Sequence, residues 1–160
     1  MNLDTSEITP DEFAAEIRFY NSIIIDDQVA TREDLILLSC SLSRLLNLGE
    51  RLPDLFDENE YEPELDTKEI ENKLSKRFVD FGFYSSADPD IEIVGDMQAL
   101  MVGDALDDLQ DIYTDLNIAL KYFEMGVWKN MFWHARLMFG HWGRHAIDLK
   151  SYLHNKIHDW

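Results

Sequence analysis

Apolar residues recur at intervals of three and four positions in five stretches of the chain. The stretches run over about residues 10–25, 31–49, 66–82, 96–124 and 127–157. Because this spacing places apolar side chains on one face of a helix, the pattern predicts five amphipathic α-helices.

Several helix ends carry local signals. The segment Thr9–Glu12 forms a capping box with proline at the first helical position, and Thr31 is a good N-cap for the second helix. Asp66 and Glu69 have the spacing of another capping box. Gly126 ends the fourth helix and leaves a short turn before the fifth. The last two helices are therefore predicted to form a long antiparallel hairpin.

The segments between helices complete a predicted all-α, single-domain bundle over residues 1–160. Residues 54–66 contain seven acids and no basic residue, which is typical of a solvated acidic loop. A second loop runs from Pro89 to Gly95, and the best short strand candidate is Asp90–Val94. Gly140 and Gly143 interrupt the fifth helix and predict a kink or a close helix contact.

The net charge of the chain indicates which classes of binding partner to expect. The 160 residues carry 14 basic and 32 acidic side chains, for a net charge of -18. This field repels nucleic-acid phosphates and anionic lipid headgroups, so nucleic acid and membrane are not expected partners. No stretch has the eighteen or more apolar residues of a membrane helix, and the N-terminus does not have the pattern of a signal peptide. A cytoplasmic location and a buried thiol at Cys40, the single cysteine, are expected.

Each helix of the predicted hairpin carries a stripe of polar side chains. Five acids of the fourth helix fall within about a 100° arc: Asp104, Asp107, Asp108, Asp111 and Asp115. On the fifth helix a second stripe, flanked by Arg144, contains His134, His141, His145, Asp148 and Tyr152. In an antiparallel hairpin centred on Gly126, residues whose numbers sum to about 252 lie at the same level. Asp111 should then meet His141, and Asp108 should meet Arg144 or His145.

The stripes have two interpretations. A set of carboxylates and of histidines four residues apart can bind Zn, Mn or Fe, and the candidate metal ligands are Asp108, Asp111, His141 and His145. The other interpretation is a structural network of ion pairs and hydrogen bonds that contains Asp104, Asp108, Asp111, Asp115, His134, His141, Arg144 and His145.

Three segments resemble a known family. The strings GDALDDLQDIYTDLNIAL (Gly103 to Leu120) and FGHWGRHAIDLKSYLH (Phe139 to His154) are similar to the hallmark segments of a bacterial family described only as a domain of unknown function. LLNLGERLPD (Leu45 to Asp54) resembles that family's shorter Leu-Pro segment. The resemblance implies a small bacterial helical protein and brings with it no activity, cofactor or catalytic residue.

The sequence leaves two classes of function open. Since the sequence has no glycine-rich phosphate loop, nucleophile elbow or paired Cys-x-x-Cys motif, the leading hypothesis is a non-enzymatic interaction or accessory protein. Its acidity suits a basic protein partner. The alternative is a metal-dependent, hydrolase-like enzyme that uses the Asp and His residues of the last two helices.

Overall fold

A computed structural model describes residues 8–56, 63–87 and 100–158. Within these ranges the chain is mainly α-helical, as predicted, but it has six helices rather than five and a small antiparallel sheet. In chain order the elements are α1 (Pro10–Ile24), α2 (Arg32–Glu50), α3 (Lys68–Arg77), β1 (Phe83–Ala87), β2 (Leu100–Asp104), α4 (Ala105–Glu124), α5 (Trp128–Leu137) and α6 (Phe139–His158).

The first two helices begin where their caps predict. The Thr9 hydroxyl accepts a hydrogen bond from the Glu12 N–H at 3.1 Å. Thr31 and Asp34 form a reciprocal capping box at the start of α2. Each cap satisfies N–H groups that have no partner inside the helix, which explains why these boundaries are locally determined.

The third helix is shorter than predicted, and the expected Asp66–Glu69 capping box is wrong. Thr67 is the N-cap residue, while the Asp66 carboxylate accepts from the Lys68 N–H at 3.1 Å. The helix ends at Arg77, whose carbonyl accepts from the Ala30 N–H at 2.8 Å. A tertiary hydrogen bond therefore uses a carbonyl that would otherwise serve a longer helix.

A β-hairpin replaces the predicted first turns of the fourth helix. Strands β1 and β2 pair in antiparallel register, with Phe83 opposite Asp104 and Tyr84 opposite Gly103. Helix α4 starts one residue later, where the Asp104 carboxylate caps it by accepting from the Leu106 N–H at 3.0 Å. The predicted strand Asp90–Val94 and the helical residues expected at 96–99 lie outside the described residues.

The predicted fifth helix is two helices, α5 and α6, which are separated at Met138. The break precedes the two glycines that predicted a kink or close contact. At Gly143 an added Cβ would lie 2.8 Å from the Phe139 ring, and at Gly49 of α2 it would lie 2.3 Å from the same ring. The Phe139 side chain thus occupies space that only glycine leaves open on both helices.

Helix α4 lies at the centre of the bundle. It packs against α1, α3, α5 and α6, while α2 packs against α1 and α6. The wholly buried side chains of the shared core include Tyr20, Leu42, Leu109 and Trp142. In the described part of the chain, no helix combines the length and apolarity that crossing a membrane requires.

Two further predictions concern the Cys40 thiol and the acidic loop at 54–66. Cys40 is exposed, so the expected buried thiol is wrong. Leu38, Ser41 and Leu42 turn towards the core, and Cys40 lies on another side of α2. Of the acidic loop predicted at 54–66, residues 57–62 lie outside the described residues, and the remaining positions belong to no helix or strand.

Candidate functional site

The aspartates of α4 face two histidines of α6. Asp108 Oδ1 lies 2.7 Å from His145 Nδ1, and Asp115 Oδ2 lies 2.7 Å from His141 Nδ1. Asp111 lies between them, with Oδ2 at 3.3 Å from His145 Nε2 and 3.9 Å from His141 Nε2. The structure therefore brings together the four residues singled out as candidate metal ligands, together with Asp115.

The two imidazoles share one arrangement. Each Nδ1 faces a carboxylate that is almost completely buried, since the side chains of Asp108 and Asp115 are 5% and 7% exposed. An ionised carboxylate can only accept hydrogen bonds, so each Nδ1 donates. Both Nε2 atoms then face Asp111, and the rings lie 4.7 Å apart at an angle of 80°.

The ionisable groups of this site shift one another's pKa values. The hydrogen bond from His145 to Asp108 raises the pKa of His145, and the charge of Asp111 adds to this effect, while burial opposes it. Burial raises the pKa of Asp115, although the hydrogen bond from His141 pulls that pKa back down. Burial and the nearby Asp111 and Asp104 raise the pKa of Asp107. The site is thus a set of interacting acids and bases in a partly dehydrated setting.

A tyrosine that the sequence did not single out connects the hairpin to this cluster. The Tyr84 hydroxyl of β1 donates a short hydrogen bond to Asp108 Oδ2, the oxygen that His145 does not use. Burial, followed by this hydrogen bond, raises the pKa of Tyr84 well above its ordinary value. The Tyr84 ring also packs against Tyr152, with centroids 5.3 Å apart. Only the pairing of β1 with β2 brings Tyr84 here, so helical periodicity gave no signal for it.

A groove of about 410 Å³ lies between the hairpin and helices α4 and α6. Arg144 lies in one wall of the groove. Its guanidinium donates hydrogen bonds to the Asp148 carboxylate at 2.9 Å and to the Ser86 hydroxyl at 3.5 Å. The charged and titratable side chains that line the groove are Asp104, Asp107, Asp108, Asp148, Arg144, His145 and Tyr84. Acids outnumber bases in this lining.

Other members of the predicted network have different roles. Asp104 is the N-cap of α4. His134 lies on α5, where it is buried and its ring packs 6.0 Å from that of Tyr122. The break at Met138 separates His134 from the His141–His145 stripe, although its charge still lowers the pKa of Asp115. The Tyr152 hydroxyl accepts from the Gly82 N–H at 3.2 Å.

One group of metal-ligand type occurs among the described residues. Each of three residues offers one ligand atom, and these three atoms lie within 4.8 Å of one another: Asp111, His141 and His145. Asp108, a fourth ligand candidate from the sequence, lies outside this group because its carboxylate occupies the opposite side of the His145 ring.

Comparisons with known proteins identify a family and a fold. The sequence profile of a family described as "Domain of unknown function (DUF5063)" matches residues 12–159, in agreement with the resemblance seen in the sequence. The crystal structure of protein BF1032 from Bacteroides fragilis is similar, with a TM-score of 0.63 and 18% sequence identity over 91% of this chain and 85% of that chain. At this identity the likeness shows the fold alone. A comparison with curated proteins gives no match.

Proposed function

This chain belongs to the DUF5063 family, and we propose that it is a non-enzymatic interaction or accessory protein that binds a basic partner protein. The observation that supports the proposal is a pair of exposed apolar side chains on the β-hairpin, with acidic side chains in the groove behind it. Phe83 and Val102 are 77% and 75% exposed. Because Ser85 pairs with Val102 and lies two residues from Phe83, both apolar side chains project from the same face of the sheet.

Charge indicates which partner would fit this surface. The groove behind the hairpin is lined by four aspartates and one arginine, and the whole chain carries a charge of -18. Exposed apolar side chains that lie together are typical of interaction surfaces, and charge complementarity speeds association with an oppositely charged partner. We therefore expect a basic protein segment with apolar anchors. On the same charge argument we do not expect nucleic acid as a partner.

In this proposal the Asp and His residues act as a structural network. Asp108 is hydrogen-bonded to Tyr84 on the hairpin and to His145 on α6, so it connects both elements to α4. Buried polar groups that are fully satisfied rigidify the elements that they join. The network would hold the hairpin in the orientation that exposes Phe83 and Val102. A bacterial, cytoplasmic setting accompanies this proposal as a prediction.

A peptide-binding experiment tests the proposed surface. The probe is a fluorescent peptide of alternating lysine and leucine residues, and its control replaces every lysine with glutamate. Anisotropy should show binding of the basic peptide alone, and binding should weaken between roughly 50 and 300 mM salt because salt screens exposed charges. The double variant Phe83→Ser/Val102→Ser should bind at least about tenfold more weakly, as expected when interface anchors are removed.

The matched control is Val79→Ser, since Val79 is 56% exposed but lies outside the hairpin. It should bind the basic peptide like the unmodified chain. Equal binding of the acidic peptide, or equal loss of binding in the Val79 variant, would contradict a specific basic-partner surface. Affinity purification from the source cells, with and without the hairpin substitutions, would then identify the partner.

A second candidate function, a metal-dependent and hydrolase-like enzyme, is favoured by the position of the groove. His145 lines this 410 Å³ space, so a small substrate could lie beside the Asp and His cluster. The test is hydrolysis of simple phosphate and carboxylate esters by protein loaded with Zn, Mn or Fe. Turnover that His145→Ala abolishes would favour the enzyme, whereas equal turnover by the variant would count against it.

A further inference from the structure

Three side chains of the α4–α6 interface present acceptor atoms to a common point. Asp111 Oδ2 lies 3.3 Å from His145 Nε2 and 3.9 Å from His141 Nε2. When both histidines are neutral and protonated on Nδ1, these three neighbouring atoms all carry lone pairs. A cation among them, either a proton or a metal ion, would relieve their mutual repulsion.

The carboxylates on the far sides of the rings determine how this cation would be held. Asp108 and Asp115 accept hydrogen bonds from the two Nδ1 atoms at 2.7 Å, and both carboxylates are almost completely buried. Histidines that ligate metals commonly donate their second N–H to a carboxylate, which fixes the tautomer and the direction of the ring. Here both imidazoles have that support.

We infer that Asp111, His141 and His145 form a binding site for one divalent transition-metal ion, with Asp108 and Asp115 orienting the two histidines. Two imidazoles and one carboxylate suit Zn, Mn or Fe(II). The inference is independent of the basic-partner surface, which requires no metal.

The three ligand atoms lie within 4.8 Å of one another, which is close to the spacing around such an ion. Ligand bonds of about 2.0–2.2 Å place neighbouring donor atoms roughly 3.0–3.5 Å apart around a tetrahedral or octahedral ion. The 3.3 Å separation lies in this range, and the 3.9 Å separation requires a small side-chain movement. Asp111 and His141 can make it because their side chains are 32% and 47% exposed. The same exposure lets water complete the coordination shell.

A second histidine pair on α6 provides an internal control. His154 and His158 also lie four residues apart, and their rings are 4.9 Å apart. Both are exposed, and in the described ranges they belong to no group of three ligand-type side chains. Spacing alone would make the two pairs equivalent, whereas the third ligand and the orienting carboxylates distinguish His141 and His145.

The test is equilibrium dialysis of chelator-treated protein, purified without a histidine tag, against Zn²⁺, Mn²⁺ or Fe²⁺ alone, with metal content measured by mass spectrometry. We expect one ion per chain. The variant His141→Ala/His145→Ala should lose at least about a hundredfold in affinity, and Asp108→Ala should lose roughly ten- to a hundredfold, as expected for an orienting residue. The control His154→Ala/His158→Ala should bind like the unmodified chain.

Two further measurements keep the inference testable if an alanine variant unfolds. Asp111→Asn retains the size of a partly exposed side chain and should still weaken binding at least about tenfold. Cobalt substitution should give d–d absorption bands that the His141/His145 variant lacks. The inference is overturned if none of the three metals binds stoichiometrically, or if the His154/His158 variant loses the ion instead. Basic-peptide binding measured with chelator present reports on the proposed function separately.

Discussion

The hydrogen bond between Asp108 and His145 allows a quantitative test of how strongly α6 is coupled to α4. The two side chains are 5% and 25% exposed, and their atoms lie 2.7 Å apart. The perturbations are Asp108→Ala, His145→Ala and the double variant. Alanine preserves helix propensity in both helices. The effects of each substitution on its other partners cancel in the cycle, which leaves the pairwise energy.

The magnitude follows from burial and charge. A hydrogen bond to a charged group contributes about 1.5–3 kcal/mol to the free energy of unfolding, and partial exposure of His145 favours the lower end. We therefore expect a coupling energy of about 1.5 kcal/mol at about pH 6. Asp108, with Asp111 and Asp107, raises the pKa of His145. The charge contribution is therefore complete below the unfolded pKa of about 6.5 and disappears as pH rises through the folded value.

The assay is urea unfolding in chelator at about pH 6 and pH 9, followed by circular dichroism and by tryptophan fluorescence to check for a two-state transition. At pH 9 the coupling should fall below its value at pH 6, because the imidazolium charge is lost while the hydrogen bond to the carboxylate remains. The comparison pair is Asp111 and His141, whose atoms are 3.9 Å apart and partly exposed. It should couple by less than about 0.5 kcal/mol without metal. An Asp108–His145 coupling within about 0.3 kcal/mol of zero at both pH values would refute this reasoning.

Two other predictions concern packing and buried hydroxyls. Gly49→Ala should destabilise the protein by about 1–3 kcal/mol because its Cβ would lie 2.3 Å from the Phe139 ring. Gly140→Ala, which meets nothing within 4 Å, should be neutral or stabilising by up to about 1 kcal/mol, and urea unfolding that ranked the two substitutions in reverse would contradict the packing. Burial raises the pKa of Tyr20, whose hydroxyl donates to the Leu109 carbonyl at 3.1 Å. Its contribution should be complete below the unfolded pKa of about 10 and should decline as pH rises from there towards the folded pKa. Tyr20→Phe should therefore lose less stability than the unmodified chain between about pH 9 and 11. Parallel losses would show that Tyr20 does not titrate on unfolding.

Local chemistry in the sequence determined much of the helical framework. Thr9 and Thr31 cap helices through atoms that lie within three residues, so their signals survive without tertiary information. Helical periodicity likewise placed Asp108 and Asp111 on one face of α4 and His141 and His145 on one face of α6. The expectation that these faces meet follows from the short turn at Gly126 and from the side on which the apolar residues lie.

Only the tertiary structure decided the register and the non-helical parts. Periodicity fixes the face of a helix but not its axial position against a neighbour, and a shift of one turn moves a side chain by about 5.4 Å. Asp115 rather than Asp111 therefore holds His141 at 2.7 Å, and the break at Met138 places His134 on a different helix from His141 and His145. The strand Leu100–Asp104 has an apolar start that fits a helix equally well by pattern. Its partner strand Phe83–Ala87 is separated from it by twelve residues in the sequence. A contact between such separated segments is set by packing of the whole chain rather than by local sequence.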